Sequence, residues 1–184
     1  MRRLLLATGN AHKVEEIAEL LEGRFEVEAR DPGVEETGAT FEDNALLKAR
    51  VLASATGELS VADDSGIEID HLGGDPGIHS ARWTEEPDWI PRVLRELDGV
   101  PSEGRGCRYV CAAAAVWPDG REQVVRGTVD GRIASEPRGT GGFGYDPIVE
   151  PSEGDGRTFG EMTPEEKQAI SHRARAFRAL ADLL

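Results

Sequence analysis

The sequence predicts an α/β fold: a mixed twisted sheet with flanking helices and a β-meander, expected as one domain over residues 1–184 with two lobes around a central cleft. Three observations carry this. The apolar run Leu4-Leu5-Leu6-Ala7 feeds a glycine turn and then a helical repeat, the opening of a βαβ-like unit. The middle of the chain alternates strand-like runs with the hairpin signals Asp119-Gly120 and Asp130-Gly131. The C-terminal part carries two capped helix starts.

After the first strand, a helix is expected over 11–21, with Val14, Ile17, Ala18 and Leu21 recurring at helical spacing. A second strand follows at 25–29, and the loop Asp31-Pro32-Gly33 leads to Glu35 and Glu36. Thr40 caps a helix running to about residue 55, whose apolar face is Phe41, Ala45, Ala49 and Leu52. Asn44 and Lys48 lie one turn apart on the edge of that face. Residues 59–62 read as a strand, Asp63-Asp64-Ser65-Gly66 as a turn, and 67–70 as an alternating strand. Residues 72–77 form a glycine-rich loop, 83–91 is irregular, and a short helix over 90–97 stops at Asp98-Gly99. A central strand at 108–117 turns at Asp119-Gly120, returns over 123–129, and turns again at Asp130-Gly131 into 132–134. Thr163-Pro164-Glu165-Glu166 is a capping box with proline at the first helical position. Ser171 caps the last helix, which buries Ala174, Phe177, Leu180, Ala181 and Leu184 and carries His172 and Arg173 in its first turn.

With 35 acidic against 21 basic residues, the net charge is −14. So acidic a chain does not hold nucleic acid or an anionic membrane on its general surface, and a phosphate ligand must be caught by local cations or a metal. No apolar stretch approaches the length of a membrane span, and the N-terminal run is too short for a signal peptide. Cys107 and Cys111 are four apart on one expected strand, too distant for a disulfide, and no further cysteines complete a zinc site. Reduced thiols in a cytoplasmic protein are the simple reading.

Four segments carry candidate chemistry. In Thr8-Gly9-Asn10-Ala11-His12-Lys13 a strand runs through a glycine turn into a helix. Unpaired N–H groups and the positive helix end make this either a seat for an anion or an ordinary turn with an exposed lysine. Asp63-Asp64 supplies hard carboxylate oxygens. With a triphosphate these suit Mg²⁺, for which Glu35 and Asp64 are the candidate ligands, and one carboxylate could take a proton from attacking water. Phe143-Gly144-Tyr145-Asp146, at the end of a glycine-rich run, offers flat rings on which a base could stack. His172 and Arg173 put cations against the helix dipole, which suits an anionic or electron-rich partner. A Walker lysine motif and a G-x-S-x-G elbow are both lacking.

Together these segments closely resemble the ITPase-like family of non-canonical purine nucleoside triphosphate pyrophosphatases. The resemblance rests on T-G-N-A-H-K at 8–13, E-E-T-G-A-T-F-E-D-N-A-L-L-K-A-R at 35–50 and A-D-D-S-G at 62–66. It continues with L-G-G-D-P-G-I-H-S-A-R at 72–82, G-T-G-G-F-G-Y-D-P at 139–147 and E-E-K-Q-A-I-S-H-R at 165–173. The resemblance implies Mg²⁺-dependent hydrolysis of ITP, dITP and XTP to the monophosphate and pyrophosphate by a homodimer. It implies that Thr8, Gly9, Asn10, Ala11, His12 and Lys13 hold the triphosphate and that Lys48 approaches it. Asp64 would be general base and metal ligand, and Glu35 a second metal contact. Ser65, Phe143, Gly144, Tyr145, Asp146, Lys167, His172 and Arg173 would contact substrate. The donors of Arg173 would then pair with the C6 carbonyl of hypoxanthine or xanthine. The chain departs from the family pattern at His79, where tyrosine is common, and at Asp43, where glutamate is common. A Maf-like nucleotide pyrophosphatase, whose motifs match less well here, is one alternative; a module that binds nucleotides without hydrolysing them is another, and the retention of Lys13, Lys48 and Asp64 argues against it.

Overall fold

The structure, a computed structural model, describes residues 2–85 and 87–184. Six strands form one mixed sheet in the order β2-β1-β3-β4-β5-β6. They are β1 (Arg2–Ala7), β2 (Phe25–Arg30), β3 (Ser60–Ile69), β4 (Gly106–Val116), β5 (Glu122–Ile133) and β6 (Val149–Pro151). The helices are α1 (Ala11–Leu20), α2 (Phe41–Thr56), α3 (Trp89–Glu96), α4 (Pro164–Ile170) and α5 (His172–Ala181). β1 pairs in parallel with both β2 and β3, and β5 pairs antiparallel with β6. The apolar run Leu4–Ala7 is fully buried, as befits the centre of the parallel part.

Two expected turns are not turns. Asp63-Asp64-Ser65-Gly66 lies inside the continuous strand β3, because both aspartates find side-chain partners that a turn would not offer. Asp130-Gly131 lies inside β5. Asp130 pairs with Arg108 at 2.6 Å, and Gly131 lets β6 approach, since a Cβ there would stand 2.6 Å from the Glu150 carbonyl oxygen. The short strand β6 was not foreseen; its three residues leave no period to read. The helices agree with the sequence to within a residue or two, including the Thr40 cap and the Thr163 capping box.

The chain divides into two compact units, to both of which β3, β4 and β5 contribute residues. The first comprises residues 2–65, 111–127 and 172–184. Its core joins Leu4, Leu6 and Val61 of the sheet to Ile17 and Leu21 at α1 and to Ala176, Phe177 and Leu180 of α5. The second comprises residues 66–110 and 128–171, with a core that includes Ile67, Ile69, Val93, Leu97, Tyr145 and Phe159. Among the described residues no helix is long and apolar enough to cross a membrane. Both cysteines are buried and free, and burial pushes the Cys107 thiol up to about 12, a packing role.

Candidate active site

Asp63 and Asp64 are successive residues of a strand, so their side chains point to opposite faces. That alternation gives them opposite chemistry. Asp63 Oδ2 lies 3.0 Å from Lys13 Nζ and 3.6 Å from Arg173 Nε, and Cys111 Sγ donates to it at 3.8 Å. Burial favours the neutral acid, but the charges of Lys13, Arg173 and Lys48 outweigh it and hold the carboxyl well below the usual range. Asp63 is therefore a permanent anion, and its buried Oδ1 accepts no hydrogen bond among the described residues.

Asp64 faces α2. Its Oδ2 accepts from Asn44 Nδ2 at 3.0 Å, its Oδ1 accepts from the Ser65 N–H at 3.0 Å, and Lys48 Nζ stands 3.9 Å from Oδ1. Burial pushes this carboxyl up to about 6; the charge of Glu36 adds to the rise, and Lys48 and Asn44 oppose it. Two adjacent carboxylates are thus split into a fixed charge and a proton-exchanging group, the arrangement that assigns acid–base roles.

α2 sets this geometry. Thr40 Oγ1 accepts from the Asp43 N–H, which starts the helix and puts Asn44 and Lys48 on one buried face. Asn44 Oδ1 accepts from the Gly38 N–H at 2.7 Å, so one side chain ties the 36–38 segment to Asp64. Gly38 is required there, since a Cβ would lie 2.6 Å from Asn44 Oδ1. Lys48 is buried rather than solvated, and its ammonium stands 2.5 Å from Glu36 Oε1. Glu35, the expected second metal contact, is exposed. The carboxylate that accompanies Asp64 is its neighbour Glu36, because the tie through Gly38 fixes which of the two adjacent side chains turns inward.

At the start of α1, Asn10 is the expected cap, accepting from the His12 and Lys13 N–H groups at 3.0 and 3.3 Å. Two of the N–H groups expected to be open to an anion are therefore already taken. Gly9 permits close approach to Asp31, whose Oδ2 would stand 2.6 Å from a Cβ at that position. Thr8 Oγ1 accepts from the Asn10 N–H, and Gly9, Asn10, Ala11 and His12 are exposed. On α5, His172 and Arg173 are buried. Arg173 is ion-paired to Glu16 of α1, donates to Ser65 Oγ at 3.0 Å and faces Asp63. Its charge serves the interior of this unit.

In the second unit, Asp146 accepts from the Phe143 N–H at 2.9 Å, from Tyr109 Oη at 3.0 Å and from Lys167 Nζ at 2.7 Å. The glycine run needs its glycines: Gly142 has φ +67°, and a Cβ there would lie 2.0 Å from Asp146 Oδ2. Tyr145 is not an open stacking platform; it is buried, stacks on Trp89 with centroids 5.9 Å apart and donates to the Ser80 carbonyl. Phe143 is half-buried, with the Lys167 ammonium 4.8 Å from its ring centroid. Lys167 and Asp146 thus build a support for the Phe143 segment.

Among the described residues no three His, Cys, Asp or Glu side chains converge as a ready metal cage. What converges is a pair, Asp64 and Glu36, on a single cation, the Lys48 ammonium. Two hard carboxylate oxygens suit Mg²⁺, which takes one or two carboxylates and completes its shell with phosphates and water.

The sequence model of the Ham1 family matches residues 4–183. The chain belongs to the Ham1 family. The dITP/XTP pyrophosphatase of Symbiobacterium thermophilum is 52% identical over 181 residues, covering 95% of this chain and 91% of that one. The Streptomyces coelicolor dITP/XTP pyrophosphatase is 47% identical, with coverage of 100% and 98%. Among solved structures, a HAM1 protein from Coxiella burnetii superposes with a TM-score of 0.87 at 36% identity, covering 100% of this chain and 98% of that one. The nucleoside-triphosphatase / dITP/XTP pyrophosphatase of Mycobacterium abscessus gives 0.77 at 46%, with coverage of 99% and 98%. Glu16 and Tyr109 were missed as participants, whereas Glu36 and Asp63 stood in the candidate segments without an assigned role. A glutamate three positions after Lys13 on a helix was a readable signal for Glu16, since that spacing shares a face. Tyr109 gave none.

Proposed function

We propose that this Ham1 chain hydrolyses the non-canonical purine nucleoside triphosphates ITP, dITP and XTP to the monophosphate and pyrophosphate, removing them before incorporation into DNA or RNA. The observation that carries the reading is Asp64, a buried carboxylate pushed up to about 6 beside the Lys48 ammonium. A group so poised can take a proton from water near neutral pH. Asp63 stays charged and holds Lys13, which with Lys48 and the start of α1 receives phosphate. Asp64 and Glu36 would hold Mg²⁺, which supplies positive charge at the phosphoanhydride when bound. Phe143, half-buried and propped by Lys167, is the ring proposed to meet the base. Arg173 holds Ser65 and Asp63 in place, and His172 beside it is proposed to contact substrate. The names of the relatives support the substrate class. Two free, buried thiols suit a reducing, cytoplasmic setting, and a homodimer is the proposed assembly, to be checked by light scattering.

The test is release of pyrophosphate from ITP, dITP, XTP, ATP, GTP and CTP, with Mg²⁺ and with chelator. Pyrophosphate is expected from the first three, in Mg²⁺ only. Equal turnover of ATP, or orthophosphate as the primary product in phosphorus NMR, refutes the reading.

A further inference from the structure

We propose that Lys48 is a built-in competitor for the divalent cation: its ammonium occupies the place between Glu36 and Asp64, so metal and lysine hold the carboxylate pair in mutually exclusive ways. This rests on the proposed assignment of those two carboxylates to the metal. The ammonium lies 2.5 Å from Glu36 Oε1 and 3.9 Å from Asp64 Oδ1, and among the described residues no other cation is this close to both. Lys13, the next cation, is directed at Asp63, on the opposite face of β3. The side chain of Lys48 is only 11% exposed, so its stem is packed and its ammonium rests on the carboxylates rather than in water. A dication brought to the same oxygens meets an unshielded positive charge within a few ångströms.

Lys48 therefore keeps the pair neutralised and in register when no metal is present. It leaves when something better is offered to it. A phosphate group is such a partner, so nucleotide and metal bind more tightly together than apart. The acidic pair is thus guarded against free divalent ions and opened by the substrate's own charge.

The test uses Mn²⁺ as probe on the full nucleotide-free chain, with binding read by electron paramagnetic resonance and calorimetry. Lys48→Met, with Lys48→Gln as the second variant should Met fail to fold, is expected to bind Mn²⁺ about tenfold more tightly or better than the unmodified chain, within the usual range for coupled sites. Lys13→Met is expected to change Mn²⁺ affinity much less. Unchanged or weaker binding in both Lys48 variants overturns the proposal. Asp64→Asn separates the two levels. If it abolishes Mn²⁺ binding while the Lys48 variants fail to tighten it, the competitor role alone is wrong. If it leaves Mn²⁺ binding intact, the metal assignment fails and the competitor role with it.

Discussion

Asn44 donates to Asp64 across 3.0 Å, and this hydrogen bond from α2 to β3 is one of the contacts that act on the titration of the carboxyl proposed as general base. It favours the ionised form and so opposes the rise that burial and Glu36 impose. Asn44→Ala removes that donor and also releases the Gly38 N–H. A hydrogen bond to a charged group contributes about 1.5–3 kcal/mol, or one to two pH units. The acid limb of kcat/KM is therefore expected to move upward by about that much. A pH–rate profile that stays in place shows that Asn44 does not govern Asp64.

Asp64 itself should separate activity from stability. As the proposed general base it must be ionised, so kcat/KM is expected to fall as pH drops through about 6. Asp64→Asn is expected to lower kcat by about 10²–10⁴-fold. Stability runs the other way. The folded carboxyl titrates above its unfolded value, so its contribution is fully present below about pH 4 and is lost as pH rises through about 6. In metal-free buffer the variant should gain on the unmodified chain by roughly 2–3 kcal/mol between those limits. Denaturant melts at pH 4 and pH 7 measure it, and a variant that loses stability relative to the unmodified chain as pH rises refutes the assignment.

Substitution of either Asp63 or Arg173 should, unlike Asp64→Asn, cost stability. Arg173 is buried against Glu16 and Asp63, so Arg173→Ala strands two carboxylates. Breaking a buried pair in this way costs on the order of 3–5 kcal/mol. Asp63→Asn, which leaves Lys13 and Arg173 facing a neutral amide, should be destabilising in the same way. For Arg173→Ala, activity on ITP and XTP should fall in the same proportion as residual activity on ATP. A selective loss for ITP and XTP with an unchanged melting temperature would instead make Arg173 a reader of the base.

The legible part of this molecule was what depends on local period and caps. Thr40, Asn10 and Thr163 marked their helices because a cap acts within its own turn. The run Leu4–Ala7 marked a parallel strand for the same kind of reason. What local chemistry misread was Asp63-Asp64-Ser65-Gly66 and Asp130-Gly131, both ideal turn sequences and both in strands. Their carboxylates are held by Lys13, Asn44 and Arg108, partners 20 or more positions away, and no local rule contains them. That Glu36, beside the Glu35 which the resemblance implies for the metal, reaches Lys48 was not legible for a related reason. Which of two neighbours faces inward is fixed by the Gly38–Asn44 tie, a tertiary contact.

Gly127 offers a prediction that nothing in the sequence suggests. It sits in β5 without a positive φ, so its conformation does not require glycine. Its surroundings do. A Cβ there would lie 2.2 Å from the His172 carbonyl oxygen, 2.6 Å from the Ala176 N and 3.0 Å from Arg175 Cβ. The first two are backbone atoms of α5, which cannot rotate aside, so the helix must lift from the strand as a body. That helix carries Phe177 and Leu180 into the core and Arg173 to Asp63. Gly127→Ala is expected to cost about 1–3 kcal/mol or somewhat more through overpacking. For a chain of this size each kcal/mol lowers Tm by about 2–4 °C. Because the Arg173–Asp63 approach is displaced with the helix, kcat/KM should fall together with Tm. An alanine variant with unchanged Tm and unchanged kcat/KM shows that α5 does not press on β5 at this point.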